Sequence, residues 1–208
     1  MTRTLPGILA MAAIVVASNI LVQFLILDGL LTWGAFTYPF AFLVTDVMNR
    51  VYGAGPARRV VFAGFVVGII CSLIGSQIML EFGPAVPLRV AVASGTAFLV
   101  AQLMDVAVFS RFRDGAWWRA PLASTLVGST VDSVLFFTIA FAGFLSFGAV
   151  ADEQVGWALE AVPFLTVGPV VPLWISLGVA DWAVKLAVAL IALVPFRLIV
   201  GRLLAGPA

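Results

Sequence analysis

Four carboxylates and one lysine stand inside otherwise apolar runs: Asp46, Asp105, Asp132, Asp181 and Lys185. A charged side chain at the centre of a bilayer costs at least ~2.5 kcal/mol, so each needs a partner or a task. Asp181 and Lys185 are four apart and can pair on one helix face, either as a self-neutralising structural pair or as one that opens when a ligand or proton arrives. Asp132 shares its helical face with Thr125, Ser129 and Phe136, a stripe polar at the centre and aromatic at one side, while Ser133 is expected to point elsewhere. Such a surface suits a small planar ligand, with a carboxylate accepting N–H groups and a ring stacking on a phenylalanine. Two amide pairs add to the set: Asn19 with Gln23, four apart, and Gln102 with Asp105, three apart. Amides in membrane helices serve ligand contact or interhelical hydrogen bonding, the latter worth ~0.6 to 2 kcal/mol. Asp46 has Arg50 four residues on as a local partner. With Asp105 it lies near the end of its apolar run, where water reduces the cost of charge and a structural or gating role fits.

Charge counting sharpens the point. Four acids against Lys185 leave minus three, and adding Arg50 leaves minus two. An apolar interior holds that only if some carboxylates are protonated or a cation binds. There is no histidine, which removes Ser/His/Asp and Cys/His nucleophilic machinery, the zinc-protease helix motif and imidazole haem ligation. No catalytic residue, cofactor or metal site is expected. The single cysteine, Cys71, has no intramolecular disulfide partner. No Gly-x-x-x-x-Gly-Lys-Ser/Thr loop is present, so any ATPase is another chain. A net charge of +1 points to no nucleic-acid partner.

The elements that must position these residues are hydrophobic helices. Of 208 residues 63% are hydrophobic and only 10% charged, against about a quarter charged in soluble domains. The mean hydropathy is +1.18. At about 20 residues per crossing, the chain reads as one all-α transmembrane domain over 1–208, with about six spans at 8–27, 33–49, 60–80, 90–109, 122–147 and 174–195. The first is too long for a signal-peptide core and further spans follow it. Pro39 breaks the second. The stretch 157–173 contains Pro163, Gly168, Pro169 and Pro172 and reads as interfacial or re-entrant, a candidate lid. Arg3, Arg50, Arg58, Arg59, Arg111, Arg113, Arg119, Arg197 and Arg202 fall at the start, after spans two and four, and at the end. The positive-inside rule then places both termini in the cytoplasm. Gly64, Gly68, Ser72 and Ser76, spaced by four, let another helix approach closely, within the bundle or between subunits of a homo-oligomer.

The segment from Thr32-Trp-Gly-Ala-Phe-Thr-Tyr-Pro-Phe to Val44-Thr-Asp-Val-Met-Asn-Arg-Val-Tyr-Gly, continuing to Ala57-Arg-Arg, resembles the bacterial queuosine precursor transporter family, of the vitamin uptake transporter type. So do Ala123-Ser-Thr-Leu-Val-Gly-Ser-Thr-Val-Asp-Ser and Gly178-Val-Ala-Asp-Trp-Ala-Val-Lys, and the likeness runs from span one to span six. The resemblance implies a multi-pass protein of the bacterial inner membrane. It would import 7-cyano-7-deazaguanine (preQ0), with the aminomethyl base preQ1 as a second candidate, for salvage into queuosine in tRNA. Its partners would be that small base and the lipid bilayer. A 7-deazaguanine presents N1–H and a 2-amino group that one carboxylate accepts side by side, a role for Asp132 or Asp181. Asn19, Gln23 and Gln102 would address the carbonyl oxygen or pyrrole N–H, and Phe36, Phe40 or Phe136 would stack. Arg50 stands where many relatives have glutamate, so no ligand role carries over to it. The competing readings are the substrate-binding membrane component of an ECF-type vitamin transporter with separate ATPase subunits and, further off, an intramembrane enzyme, for which no Gly-x-Gly-Asp motif is present.

Overall fold

A computed structural model describes residues 4–81 and 83–205; Arg3, part of the arginine pattern, lies outside the described residues. Helix α1, Leu5–Leu21, begins with a proline in its first turn, where the missing N–H costs nothing. It ends before Gln23, because the chain turns into a small hairpin of β1, Leu25–Ile26, and β2, Leu31–Thr32. Leu27, Asp28 and Gly29 make that turn with φ of 51°, 55° and 87°. Asn19 and Gln23 therefore do not share a helix face as their spacing predicts.

The second apolar run is broken as Pro39 requires: a single turn α2, Gly34–Thr37, precedes α3, Phe40–Tyr52. Gly53, at φ 88°, swings the chain directly into α4, Ala54–Gly75. A second short hairpin, β3 Met79–Leu80 with β4 Gly83–Pro84, leads to α5, Leu88–Phe112. Helix α6, Arg119–Phe141, stops six residues short of the predicted 147. After it come α7, Ala149–Glu153, a 3-10 turn at Gly156–Leu159, and a hairpin of β5, Ala161–Pro163, with β6, Val170–Pro172. The proline-rich stretch thus forms no spanning helix. The last helix, α8, Leu173–Ala205, runs through Pro195 for 33 residues, about 50 Å at 1.5 Å per residue.

The chain is an all-α polytopic membrane bundle. Four helices, α4, α5, α6 and α8, are long and apolar enough to cross a bilayer, and α1 is a shorter apolar helix. The inner stripe of α1 is Gly7, Met11, Val15 and Ser18, yet its outer face carries Leu9, Val16 and Ile20. Apolar residues cover the outside while Thr45, Asp46, Gln102, Asp105, Asp132 and Lys185 are buried, the inverse of a soluble domain and the pattern a lipid solvent selects. Helices α5 and α6 pack along their length, α1 lies on α4, and α8 packs on α6 and α3. Small residues make these approaches close. A Cβ on Gly64 would stand 2.6 Å from Met11 Cγ, and one on Gly128 would stand 2.7 Å from the fully buried Phe42 ring.

The arginine-bearing turns converge at one end of the bundle. Arg50 Nη1 donates to the Arg113 carbonyl at 2.6 Å, Arg113 Nη2 donates to the Arg50 carbonyl at 2.9 Å, and the Arg197 guanidinium lies 4.9 Å from the Trp117 ring centre. The opposite turns meet at the other end. Gln23 donates to the Ala85 carbonyl, and Arg89, buried in the first turn of α5, ties down the C-terminus of α6. Its guanidinium donates to the Ile139 and Ala142 carbonyls at 2.8 and 2.6 Å and pairs with Asp152 at 3.0 Å, supplying donors that a helix C-terminus lacks.

This packing can be tested at both a helix contact and a helix end. Gly128→Val overpacks the α3/α6 contact against a stiff aromatic ring and should lower stability by about 1–3 kcal/mol, read as a reduced melting temperature in detergent. The Asp152 carboxyl is held below its ordinary value by the Ser146 hydroxyl, then the Phe147 N–H and Arg89. A depressed acid contributes stability above its unfolded value near 3.8 and loses it as pH falls through the lower folded value. The protection of the 143–155 amides, taken as the intrinsic exchange rate relative to the observed rate at each pH, should therefore be flat from neutral pH down to about pH 4 and fall below it. In Asp152→Asn the lowered protection should already be present at neutral pH.

Candidate functional site

Where α6 faces α8, one lysine is shared by two acids. Lys185 Nζ lies 2.6 Å from Asp132 Oδ2 and 2.5 Å from Asp181 Oδ2, and donates to Ser133 Oγ at 3.1 Å. Its three N–H donors are all used. Ser133 Oγ in turn donates to Asp181 Oδ2 at 2.9 Å, and Tyr38, from the Pro39 break, donates its hydroxyl to Asp132 Oδ1 at 3.2 Å. The lysine also lies 5.5 Å from the centre of the Tyr38 ring. Asp132 and Lys185 are buried, and the Asp181 side chain is 15% exposed. Two acids and one base leave the constellation at minus one, so it is held by position and hydrogen bonds without being neutral.

The i, i+4 pairing of Asp181 and Lys185 is present as spacing predicts. Ser133 does not point away: α8 lies against the groove of α6 between the faces of Asp132 and Ser133, so Lys185 reaches both. Tyr38 carried no sequence signal beyond an aromatic hydroxyl next to a helix-breaking proline.

A second polar cluster joins α3, α5 and α6. Ser124 and Thr125 donate to the two Asp46 oxygens at 2.9 and 3.2 Å. Thr45 donates to Gln102 Oε1 at 2.6 Å, and Asn49 donates to the Val106 carbonyl at 3.0 Å. Both Asp105 oxygens are buried with no N–H or hydroxyl donor opposite them, and Gln102 Nε2 and Ser129 Oγ are buried with no acceptor. Nearness to a helix end does not leave Asp46 and Asp105 in water; they are 2% and 0% exposed. Nor does Arg50 pair with Asp46: its guanidinium goes to the Arg113 and Trp117 carbonyls and over the Phe109 ring.

The remaining candidates scatter. Asn19 Nδ2 bonds the Val15 carbonyl of its own helix and lines a crevice with Tyr38, Phe65, Ser72 and Phe98. Gln23 is exposed in the turn after α1. Phe40 is 39% exposed, Phe36 packs near Trp33, and Phe136 sits edge-on to Phe137 and Phe141. Gly68 and Ser72 line the same crevice as Asn19, so the small-residue stripe shapes a cleft as well as a helix contact.

That crevice has a volume of about 20 Å³, and a second, beside Asp46 and Thr125, has about 10 Å³. Each takes about one water, whereas a ligand site needs ~300 Å³ or more. Neither crevice admits a ligand, so one that uses them enters only when helices separate.

An apolar exterior around a buried, charged interior defines a polytopic membrane protein. The chain belongs to the family described as "Putative vitamin uptake transporter", whose profile matches residues 32–200. It is 40% identical over 141 residues to the "Queuosine precursor transporter" of Escherichia coli (strain K12), a match covering 62% of this chain and 64% of that protein. It is 34% identical over 176 residues to the "Probable queuosine precursor transporter" of Haemophilus influenzae, covering 79% and 66%, and 29% identical over 182 residues to that of Bacillus subtilis, covering 78% and 68%. The chain thus spans about two thirds of the length of these relatives. No solved structure matches it.

The shared lysine makes a direct prediction. Lys185→Met leaves two buried carboxylates facing each other and should cost about 3–5 kcal/mol, the range for removing one partner of a buried pair. The double variant Lys185→Met/Asp132→Asn restores the site charge to minus one and should recover part of the melting temperature lost. A single variant as stable as wild type would show that the network carries no strain when opened.

Proposed function

We propose that this chain imports a queuosine precursor, a 7-deazaguanine base, across the bacterial inner membrane, with its arginine-bearing end in the cytoplasm and no covalent chemistry. The observation that carries this reading is the net-negative Tyr38/Asp132/Ser133/Asp181/Lys185 constellation buried in the bundle, in a family of transporters. A 7-deazaguanine is flat and neutral at its ring and offers two parallel N–H donors, which a carboxylate takes without a net charge entering the membrane. Asp132 is the acceptor. Lys185 keeps Asp181 as its counterion through the i, i+4 contact, so Asp132 can exchange lysine and tyrosine donors for the base without stranding a cation. Asn19 and Tyr38 address the rest of the ring edge as the crevice between α1, α4 and α5 widens, and Phe65 and Phe98 offer flat faces beside them. A ligand lacking either N–H leaves Asp132 unpaired, which is the source of discrimination against bases such as adenine and hypoxanthine.

The test is queuosine formation in a bacterium unable to make the base, supplied with preQ0 or preQ1 and carrying wild-type, Asp132→Asn or Asp181→Asn protein. Loss of a charge-assisted hydrogen bond of ~1.5–3 kcal/mol should lower the initial uptake rate by about 10- to 150-fold in Asp132→Asn. Wild-type rates in both variants defeat the site assignment, and no queuosine from either base with wild-type protein defeats the substrate assignment. Purified chain in liposomes separates a self-sufficient carrier, which takes up base alone, from a component that requires ATPase subunits.

A further inference from the structure

The two polar clusters differ in one respect: only one has a cation. Among the described residues the ion pairs are Arg89 with Asp152 and Lys185 with Asp132 and Asp181; neither Asp46 nor Asp105 takes part in one. Yet both are buried against the same stretch of α6: Asp46 accepts from Ser124 and Thr125, and Gly128, one turn on, lies beside the Asp105 Cβ. Two carboxylates buried in one cluster with no cation and, for Asp105, no donor cannot both stay ionised, so the pair holds a proton.

The surroundings offer no other neutralisation. On α3 the nearest charge is Arg50, one turn on, with its guanidinium committed to backbone carbonyls. Helix α1 has no charged residue, and the arginines of α4, Arg58 and Arg59, are exposed. Helix α8 presents Ala189, Ala192 and Leu193 beside Asp46, and its Lys185 is held by Asp132 and Asp181. On α6 the facing groups are the Ser124 and Thr125 hydroxyls. A second observation marks the place as unfinished: Gln102 Nε2, on the face of α5 that carries Asp105, and Ser129 Oγ, next to the Gly128 contact with Asp105, are buried donors with no acceptor. They are what a carboxylate pair would recruit on losing its proton. The crevice beside Asp46, with room for about one water, supplies a short path for that proton.

We propose that Asp46 and Asp105 form a proton-carrying dyad that couples substrate movement to a proton gradient. This rests on the transport reading above. One proton enters the dyad when the bundle opens to one side and leaves, as the pair recruits Gln102 and Ser129, when it opens to the other. The interior charge of minus three then becomes minus two, divided equally between the dyad and the Asp132/Asp181/Lys185 constellation.

Two measurements test this. Infrared spectra of purified protein at neutral pH should show a protonated-carboxyl band, shifted in D₂O, that is lost in Asp46→Asn and in Asp105→Asn. This readout needs no substrate. In proteoliposomes, an inward gradient of one pH unit should raise wild-type accumulation of labelled preQ0 up to about tenfold, the ceiling for one proton per neutral base. Asp105→Asn, which keeps the shape and hydrogen-bonding of the protonated acid, should lose that gradient response and still exchange labelled for unlabelled base. The proposal is overturned by a spectrum without the band or one unchanged in both variants, by a band removed when sodium replaces choline, or by an Asp105→Asn protein that still follows the gradient. Wild-type uptake indifferent to pH and to a protonophore overturns it while leaving the transport reading intact. Absence of uptake with a normal band defeats the transport reading and reduces the dyad to a structural proton site.

Discussion

Sharing of Lys185 between Asp132 and Asp181 is the interaction on which the arrangement of α6 and α8 depends. An ammonium in the interior of a membrane bundle is costly unless every donor is matched, and here two carboxylates and the Ser133 hydroxyl meet all three. That match fixes the rotation of α8, because Lys185 and Asp181 must face the same groove of α6. It also fixes Tyr38, whose hydroxyl must lie within reach of the remaining Asp132 oxygen. Turning α8 by one residue would place Val184 or Leu186 against Asp132 and carry Asp181 away from Ser133.

The Pro39 break follows from the same requirement. An unbroken second helix would carry Tyr38 on a regular face, whereas the single turn Gly34–Thr37 and the fresh start at Phe40 set the Tyr38 ring beside Phe42 and Phe98, with its hydroxyl toward α6. Helix α3 is then free to be short. Its buried residues include Thr45, Asp46 and Asn49, which it offers to α5 and α6 in place of apolar surface offered to lipid. Four long helices form the wall, and the broken segment is the polar wedge inside it.

Much of this was legible in sequence because a bilayer imposes a simple rule. Long apolar runs are helices, and an ionisable residue within one faces inward. All-α architecture, the Pro39 break, the lack of a spanning helix in the proline-rich stretch and the Asp181/Lys185 pair each followed from spacing or composition. The misreadings share a cause: contacts between helices are set by which groove another helix occupies, which local periodicity does not encode. Ser133 lies about 100° from Asp132 on an isolated helix, but α8 fits between the two faces. Gln23 looked like the partner of Asn19 until the turn at Leu27–Gly29 ended α1 early. Arg50 was four residues from Asp46, yet the carbonyls at the end of α5 offered its planar guanidinium a better match. Ends were displaced for similar reasons, as with α6, where Arg89 reaches the Ile139 and Ala142 carbonyls at its C-terminus.

Under the transport proposed above, one bundle has a use for both acid clusters. A ligand that binds by replacing donors on Asp132 changes no charge, so by itself it gives no direction to transport; a carrier with that site alone equilibrates its substrate. Direction requires a second site whose occupancy differs on the two sides of the membrane and whose state alters the packing of the same helices. Asp105 and Gln102 lie on α5, Asp46 on α3, and Thr125, Ser129 and Asp132 succeed one another along α6, so the same helix carries both clusters two turns apart. A change in the hydrogen bonds of one therefore bears on the helix that holds the other, through one rigid element rather than through a chain of loose contacts. In that proposal, lysine in one cluster and its absence from the other separates a site for a neutral base from a site for a cation as small as a proton.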